Sequence, residues 1–405
     1  MVTIEGMTEA HFDCLKKKRN TANATKFELN YELYIMQLVE EVNSRTYYPS
    51  TSIAFVVTRP RYREVFAADF RDRILHHYIA LRLMPLLDNV MSGRSYSCRV
   101  GKGTLTGVNQ LEKDIIEISK NYSEDCYIAK IDIKGFFMSI DRMKAAKSID
   151  AFIVENYQGV DKEDLRWITW ILINHAPEND CILKSPKKLW EHIIKSKSLF
   201  TNGVGMGMPI GNLLSQMVAN FFVDIINRIA EKYGIKEVRY VDDMALVCKD
   251  KETIYKAIRE IRVELHKLGL TLHQNKFYIQ HYTKGVAFTG AVLKPHRRYV
   301  ANRTVYSFED SVRKLELAKS VEEIQKCALS VNSYLGTMKH FNTYAIRRRV
   351  LQNAEIYDKA IVEGHFATVK LKSKYNERDI IFREIKEGKF CEITELASPI
   401  LIQSA

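Results

Sequence analysis

Arg239-Tyr240-Val241-Asp242-Asp243 is the stretch on which the reading of this chain turns. It lies between Ile235-Lys236-Glu237-Val238 and the apolar, β-prone run Met244-Ala245-Leu246-Val247-Cys248. That pattern predicts a β-hairpin with two adjacent acids at its tip. Neighbouring carboxylates repel, so a folded chain brings them together mainly to hold a metal ion or to shift a pKa. A solvated turn would also carry them, so the pair needs partners elsewhere in the chain.

One partner is upstream, in Tyr127-Ile128-Ala129-Lys130-Ile131-Asp132-Ile133-Lys134-Gly135-Phe136-Phe137. Alternating apolar residues lead to one acid, then a glycine and two aromatics, which predicts a buried strand presenting a carboxylate at its end. Burying an acid is costly unless it is paired or binds metal. Asp132 with Asp242 and Asp243 would make an all-oxygen site for hard cations such as Mg²⁺. Two such ions about 3.5–4 Å apart can activate an attacking hydroxyl and neutralise a leaving pyrophosphate. A strand-end or helix cap is the plainer role for Asp132 taken alone. The other partner runs from Gly203 through Gly205, Gly207, Pro209, Ile210, Gly211 and Asn212 into the apolar segment Met217 to Val223. It reads as a loop entering a buried helix, and glycines there permit close backbone approach to a nucleotide or template. The glycine spacing does not match a dinucleotide-binding turn.

The acid strand, the glycine loop and the Tyr-x-Asp-Asp hairpin, in that order, resemble reverse transcriptases. Leu268 to Lys276 is similar to the segment after the hairpin in these polymerases, and Val286 to Gly290 to the strand that grips the primer. Ser333-Tyr334-Leu335-Gly336 with Lys339-His340 looks like the start of the thumb in bacterial members. The resemblance covers roughly residues 45 to 350. It implies an α+β, right-hand polymerase fold: an antiparallel palm sheet packed on helices, with fingers and a helical thumb. The expected organisation is an N-terminal helical extension over 1–48, fingers over 49–125, and the first acid strand of the palm over 126–150. A fingers insert over 151–201, the rest of the palm over 202–298, a thumb over 299–370 and a tail over 371–405 would follow.

By the same resemblance, Asp132 and Asp242 would ligate two Mg²⁺ ions (or Mn²⁺) with the Ile133 carbonyl, and Asp243 would complete the acidic cluster. Arg63 and Arg73 are the expected triphosphate contacts, since a guanidinium holds phosphate through paired hydrogen bonds. Ion pairs with Glu64, Asp69 or Asp72 are their competing role. Phe137 occupies the position of the aromatic that lies against the ribose 2′ position, with core packing as its alternative. Lys276 would protonate pyrophosphate or remain a surface lysine. Ile210 and Gln216 complete the expected nucleotide-binding set. Arg59, Arg61, Lys102, Gly211 and Gly290 are the template and primer candidates, Lys102 through the stretch Gly101-Lys102-Gly103-Thr104.

Most reverse transcriptases carry Gln at the position of Ile210 and Pro at that of Gln216. The form here looks like that of diversity-generating retroelements, as does the insert Asn179 to Trp190 with Lys197 to Phe200. Such enzymes copy a template RNA into cDNA with errors at adenines and work with a small basic accessory protein. Met138 departs from the acid common at its position in group II intron relatives, and Met244 from the aromatic usual after the paired acids. A retron or abortive-infection reverse transcriptase, and a non-catalytic RNA-binding polymerase scaffold, are the alternatives.

Composition fits this reading. The chain has 405 residues and a net charge of +12, which favours polyanionic partners such as RNA. Arginines interleave with aromatics at Arg59 to Arg63 and at His296 to Tyr299, a pattern that suits phosphate holding and base stacking. The seven cysteines form no C-x-x-C pair and read as reduced residues of a cytoplasmic protein. No apolar run is long enough to span a membrane, and no signal core is visible. Residues 1–48 are expected to be helical, with Leu29, Leu33, Ile35, Met36 and Val39 as apolar positions. In the thumb the expected apolar positions are Val312, Leu315, Leu317, Ile324, Leu329 and Leu335.

Overall fold

The computed structural model describes residues 1–16, 21–58 and 61–376. Arg59, Cys391 and the rest of the tail beyond Asn376 lie outside the described residues. The chain divides into two units, Met1–Tyr282 and Thr283–Ala405.

At the heart of the first unit is a sheet whose central strand is Tyr127–Ile131. Asp243–Cys248 and Tyr278–His281 flank it antiparallel, and Lys236–Tyr240 forms a hairpin with Asp243–Cys248. Ile128 to Ile131 and Met244 to Cys248 are buried without a break, as expected of strands covered on both faces. Helices Thr104–Ile118 and Lys251–Lys267 supply part of that cover. In the latter, Asp250 caps the first turn by accepting from the Thr253 N–H at 2.8 Å. Its buried residues Ile254, Ala257, Ile258, Ile261 and Leu265 recur at helical spacing, so one stripe faces the sheet.

A second, smaller sheet pairs Ser52–Val57 antiparallel with Arg63–Ala67 and parallel with the short strand Cys181–Leu183. Asp69 then caps the long helix Phe70–Val90, accepting from the Arg71 N–H at 3.1 Å. The N-terminal segment is helical as expected, over Ile4–Leu15, Ala22–Glu28 and Tyr31–Asn43. Its buried face differs from the expected one. Ile35, Leu38 and Val42 point inward at helical spacing, whereas Leu29, Leu33 and Met36 are 76%, 63% and 54% exposed. The sequence carries two apolar stripes there, and only one meets the core.

In the second unit, strands Val286–Phe288, Ala291–Lys294 and Arg297–Val300 form an antiparallel sheet. Helices Asn302–Leu317, Val321–Met338 and Tyr344–Gln352 and the pair Ala360–Glu363 with Thr368–Leu371 follow. Ser320 and Glu323 form a reciprocal capping box at the start of the second helix. Phe308, Val312, Leu315, Ile324, Val331 and Leu335 make its core, while Leu317 and Leu329 are exposed, contrary to the sequence expectation. Of the run Arg347-Arg348-Arg349, the first is buried and donates to the Phe366 carbonyl at 2.7 Å.

Candidate active site

Register brings the acids together. Ile131 pairs with Met244 across antiparallel strands, so Asp132, one residue on, stands opposite Asp243, one residue back. Tyr240 pairs with Asp243 and closes a two-residue turn of Val241 and Asp242. Val241 has φ +60°, at a turn position that glycine normally takes. A β-branched residue there costs about 1–3 kcal/mol and persists only where its surroundings over-determine it.

Beyond the strand, the His273 N–H donates to the Asp132 carbonyl at 2.7 Å and the Lys134 N–H to the Thr271 carbonyl at 2.9 Å. These bonds flank the bridge between Ile133 and Leu272, so the ladder leaves the Ile133 carbonyl unused. The side chains show how the local charge is balanced. The Lys276 Nζ donates to Asp132 Oδ2 at 2.6 Å, and the buried Lys130 ammonium pairs with Asp243. Burial pushes the Asp242 carboxyl above the usual carboxylate range, and the charges of Asp132 and then Asp243 push it further, with Lys276 opposing. Burial likewise lowers the Lys130 ammonium, against the pull of Asp243. Among the described residues no group of three or more His, Cys, Asp or Glu converges as a metal-ligating set. Asp132 and Asp243 each meet a lysine instead. The donor chemistry nevertheless fits a divalent cation: the three acids offer carboxylate oxygens, and like-charge pressure on Asp242 is what such an ion relieves.

The glycine loop lies beside the residues that follow Asp132. The Met208 N–H donates to the Phe137 carbonyl at 2.8 Å and the Gly207 N–H to the Ile140 carbonyl at 2.7 Å. Gly207 has φ +85°, and a Cβ there would come within 3.3 Å of the Met138 Cα. Gly211, at φ +116°, would place a Cβ 2.7 Å from Val65 Cγ1 and 3.0 Å from the Phe66 carbonyl oxygen. The close approach at Gly211 is thus to the strand Arg63–Ala67, in which the Phe66 N–H donates to the Ile210 carbonyl at 2.9 Å. Phe137 and Ile210 are half-buried and pack against the small cluster of Ala54, Phe66, Met138 and Leu199.

Among the described residues, neither candidate phosphate-binding arginine takes a competing carboxylate. Arg63 is exposed, and Arg73 donates from Nε to the Ala68 carbonyl at 2.8 Å. Glu64 turns inward to the Ser198 hydroxyl at 2.7 Å and to the Leu199 N–H. Asp72 accepts from the Tyr47 hydroxyl at 2.7 Å and the Ser50 N–H at 2.9 Å. Arg61 is exposed beside Tyr62, whose ring stacks on His192 at 4.6 Å. Lys102 folds back onto the Gly93 carbonyl at 2.7 Å and over the Tyr96 ring. Gln216 accepts from the Cys98 thiol at 3.2 Å. Gly290, at φ +90°, belongs to the second unit, where its carbonyl accepts from the Ala301 N–H at 2.9 Å. Sequence reasoning missed Lys130, although strand alternation puts it on the same face as Asp132.

Comparison with protein families matches residues 58–293 to the model described as reverse transcriptase (RNA-dependent DNA polymerase). The chain belongs to the reverse transcriptase family. This family member therefore has the right-hand polymerase fold, with mixed helices and antiparallel sheets. Comparison with curated proteins gives no match. Among solved structures it is similar to apo telomerase from Candida tropicalis truncated from its C-terminal domain. The two share 14% sequence identity with a TM-score of 0.45, over 62% of this chain and 55% of that one. This reverse transcriptase family member thus spans just over half the length of that structure.

Proposed function

We propose that the protein is an RNA-directed DNA polymerase, the error-prone reverse transcriptase of a diversity-generating retroelement. The observation that carries the polymerase reading is the register that sets Asp132 opposite Asp243, with Asp242 next to it in the turn, at the end of the central sheet beside the glycine loop. In this reading Asp132, Asp242 and the Ile133 carbonyl hold two Mg²⁺ ions, while Lys130 keeps Asp243 in place as a supporting charge. Bound there, the ions would supply charge neutralisation at the α-phosphate and the leaving pyrophosphate. Arg63 and Arg73 bind the triphosphate, and Phe137 lies against the deoxyribose. Lys276 anchors Asp132 and stands ready to pass a proton to the leaving group. Catalysis is mainly positioning and electrostatics.

Segments 49–125 and 151–201 form the fingers, 126–150 and 202–298 the palm, and 299–370 the thumb. The retroelement assignment rests on Ile210 and Gln216 in the loop and helix beside the site. Its partners are a template RNA, the cDNA, dNTPs and a small basic accessory protein, in the cytoplasm. No helix among the described residues is long and apolar enough to cross a membrane.

The test is Asp242→Asn. Removing one anionic oxygen donor should abolish extension of a primed RNA template while leaving RNA affinity within about twofold, because the basic surface is untouched. Extension by the variant at the wild-type rate would refute the catalytic assignment.

A further inference from the structure

We propose that Ser97, Asn220 and Arg239 are positioning residues that hold the Val241-Asp242 turn in its reactive form, an inference that rests on the polymerase reading above. The turn needs such support, because Val241 adopts φ +60°. The Val241 N–H donates to the Ser97 hydroxyl oxygen at 3.2 Å. Ser97 is buried, and its hydroxyl donates in turn to Asn220 Oδ1 at 3.3 Å, while its carbonyl accepts from Asn220 Nδ2 at 3.1 Å. Asn220 sits in the helix Leu213–Phe222, which follows directly from the glycine loop. The same Oδ1 accepts from the Ser95 hydroxyl and from Arg239 Nη1, both at 2.7 Å.

Arg239 precedes the turn on the hairpin strand and is fully buried. Its guanidinium also donates to the Asn220 carbonyl at 3.2 Å and to Asn227 Oδ1 at 2.7 Å. The segment Arg94 to Ser97 runs along this strand as an added edge. The Tyr96 N–H donates to the Arg239 carbonyl at 2.8 Å, and the Arg239 N–H to the Arg94 carbonyl at 3.2 Å.

Hairpin, edge segment and helix thus share one buried polar network that reaches the turn through the Ser97 hydroxyl. Replacing a buried ionic network by well-packed apolar side chains is often neutral for stability. What they could not do is direct a hydrogen bond at the backbone beside Asp242. Catalysis by positioning needs reacting groups held to within about 0.5 Å, and a displacement of about 1 Å can cost a hundredfold in rate.

Ser97→Ala removes the hydroxyl that links the Val241 N–H to Asn220 and keeps the bond from Asn220 to the Ser97 carbonyl. For single-nucleotide addition on a primed RNA, kcat should fall about ten- to a hundredfold. KM for the dNTP and Kd for the RNA should stay within about twofold. In the protein alone, amide exchange across Tyr240 to Met244 should quicken several-fold, reporting the loosened turn without reference to activity. Ser97→Thr, which keeps a hydroxyl, should bring both kcat and exchange back to within about threefold of wild type. If the alanine variant lacks a cooperative melt, Ser97→Cys gives the same comparison with a weaker acceptor of similar size. Unchanged kcat and exchange in Ser97→Ala, or a threonine variant no better than alanine, would overturn the positioning role. Wild-type protein that cannot extend a primer on RNA would refute the polymerase reading itself, a separate failure.

Discussion

Phe137 packs against a small buried cluster and, in the reading proposed above, also lies against the deoxyribose. It follows Gly135, whose φ of +59° turns the chain out of the acid strand, and it meets Phe136 edge-on at 5.4 Å. Part of it packs against the buried cluster of Ala54, Phe66, Met138 and Leu199, which restrains the ring, and the rest remains accessible. A ring held rigidly is what a steric filter requires. Phe137→Ala or Phe137→Val should therefore lower the ratio of kcat/KM for a dNTP over its rNTP by at least about tenfold, as room opens for a 2′-hydroxyl. An unchanged ratio in an active variant would assign the ring to packing alone. Ile210 packs against the same cluster, so the nucleotide-binding role expected of it would come with a packing role in the same atoms.

The hairpin strand Lys236–Tyr240 carries a second buried ionisable group, Glu237, which accepts from Asn227 and whose other oxygen has no partner among the described residues. Burial lifts this carboxyl from its ordinary 4.5 to about 8, with Arg239 and Arg94 offsetting part of the rise. The folded state thus keeps a proton that the unfolded chain releases above about pH 4.5. Its contribution to stability is intact below that value and is lost as pH rises toward 8, at about 1.4 kcal/mol per pH unit. Glu237→Gln should remove this part of the slope, so urea midpoints of variant and wild type should diverge between pH 5 and 8 with the variant favoured at the alkaline end. Parallel midpoints would mean that Glu237 is ionised in the fold. Elements of this kind mark the limit of sequence reading. The acid strand was legible because its apolar residues lead to one acid, and the hairpin because two adjacent acids precede an apolar, β-prone run. The strand Cys181–Leu183 was not, since it is three residues long and two of them are exposed. Nor were the pairs Lys276 with Asp132 and Ser97 with Val241, each separated by 144 residues, because local periodicity says nothing about which distant groups meet.

Taken as a whole, the protein carries a net charge of +12, with arginines such as Arg61 and Arg63 on the surface. RNA affinity should fall steeply with salt as released counterions lose their driving force, by about 0.7 in the log–log slope for each single-strand phosphate contacted. A slope shallower than about −2 in a filter-binding titration would mean that stacking, not charge, holds the RNA. The central strand Tyr127–Ile131 has a different consequence, for the order of events at the ribosome. Both of its neighbours, Asp243–Cys248 and Tyr278–His281, come later in the chain. The first emerges on the order of a hundred residues afterwards, or about ten seconds at ordinary rates of synthesis. Through that interval a greasy strand waits with two unpaired edges, open to any other nascent chain nearby. Slowing initiation and supplying holdase chaperones should therefore raise the yield of soluble protein more than any change to the finished surface.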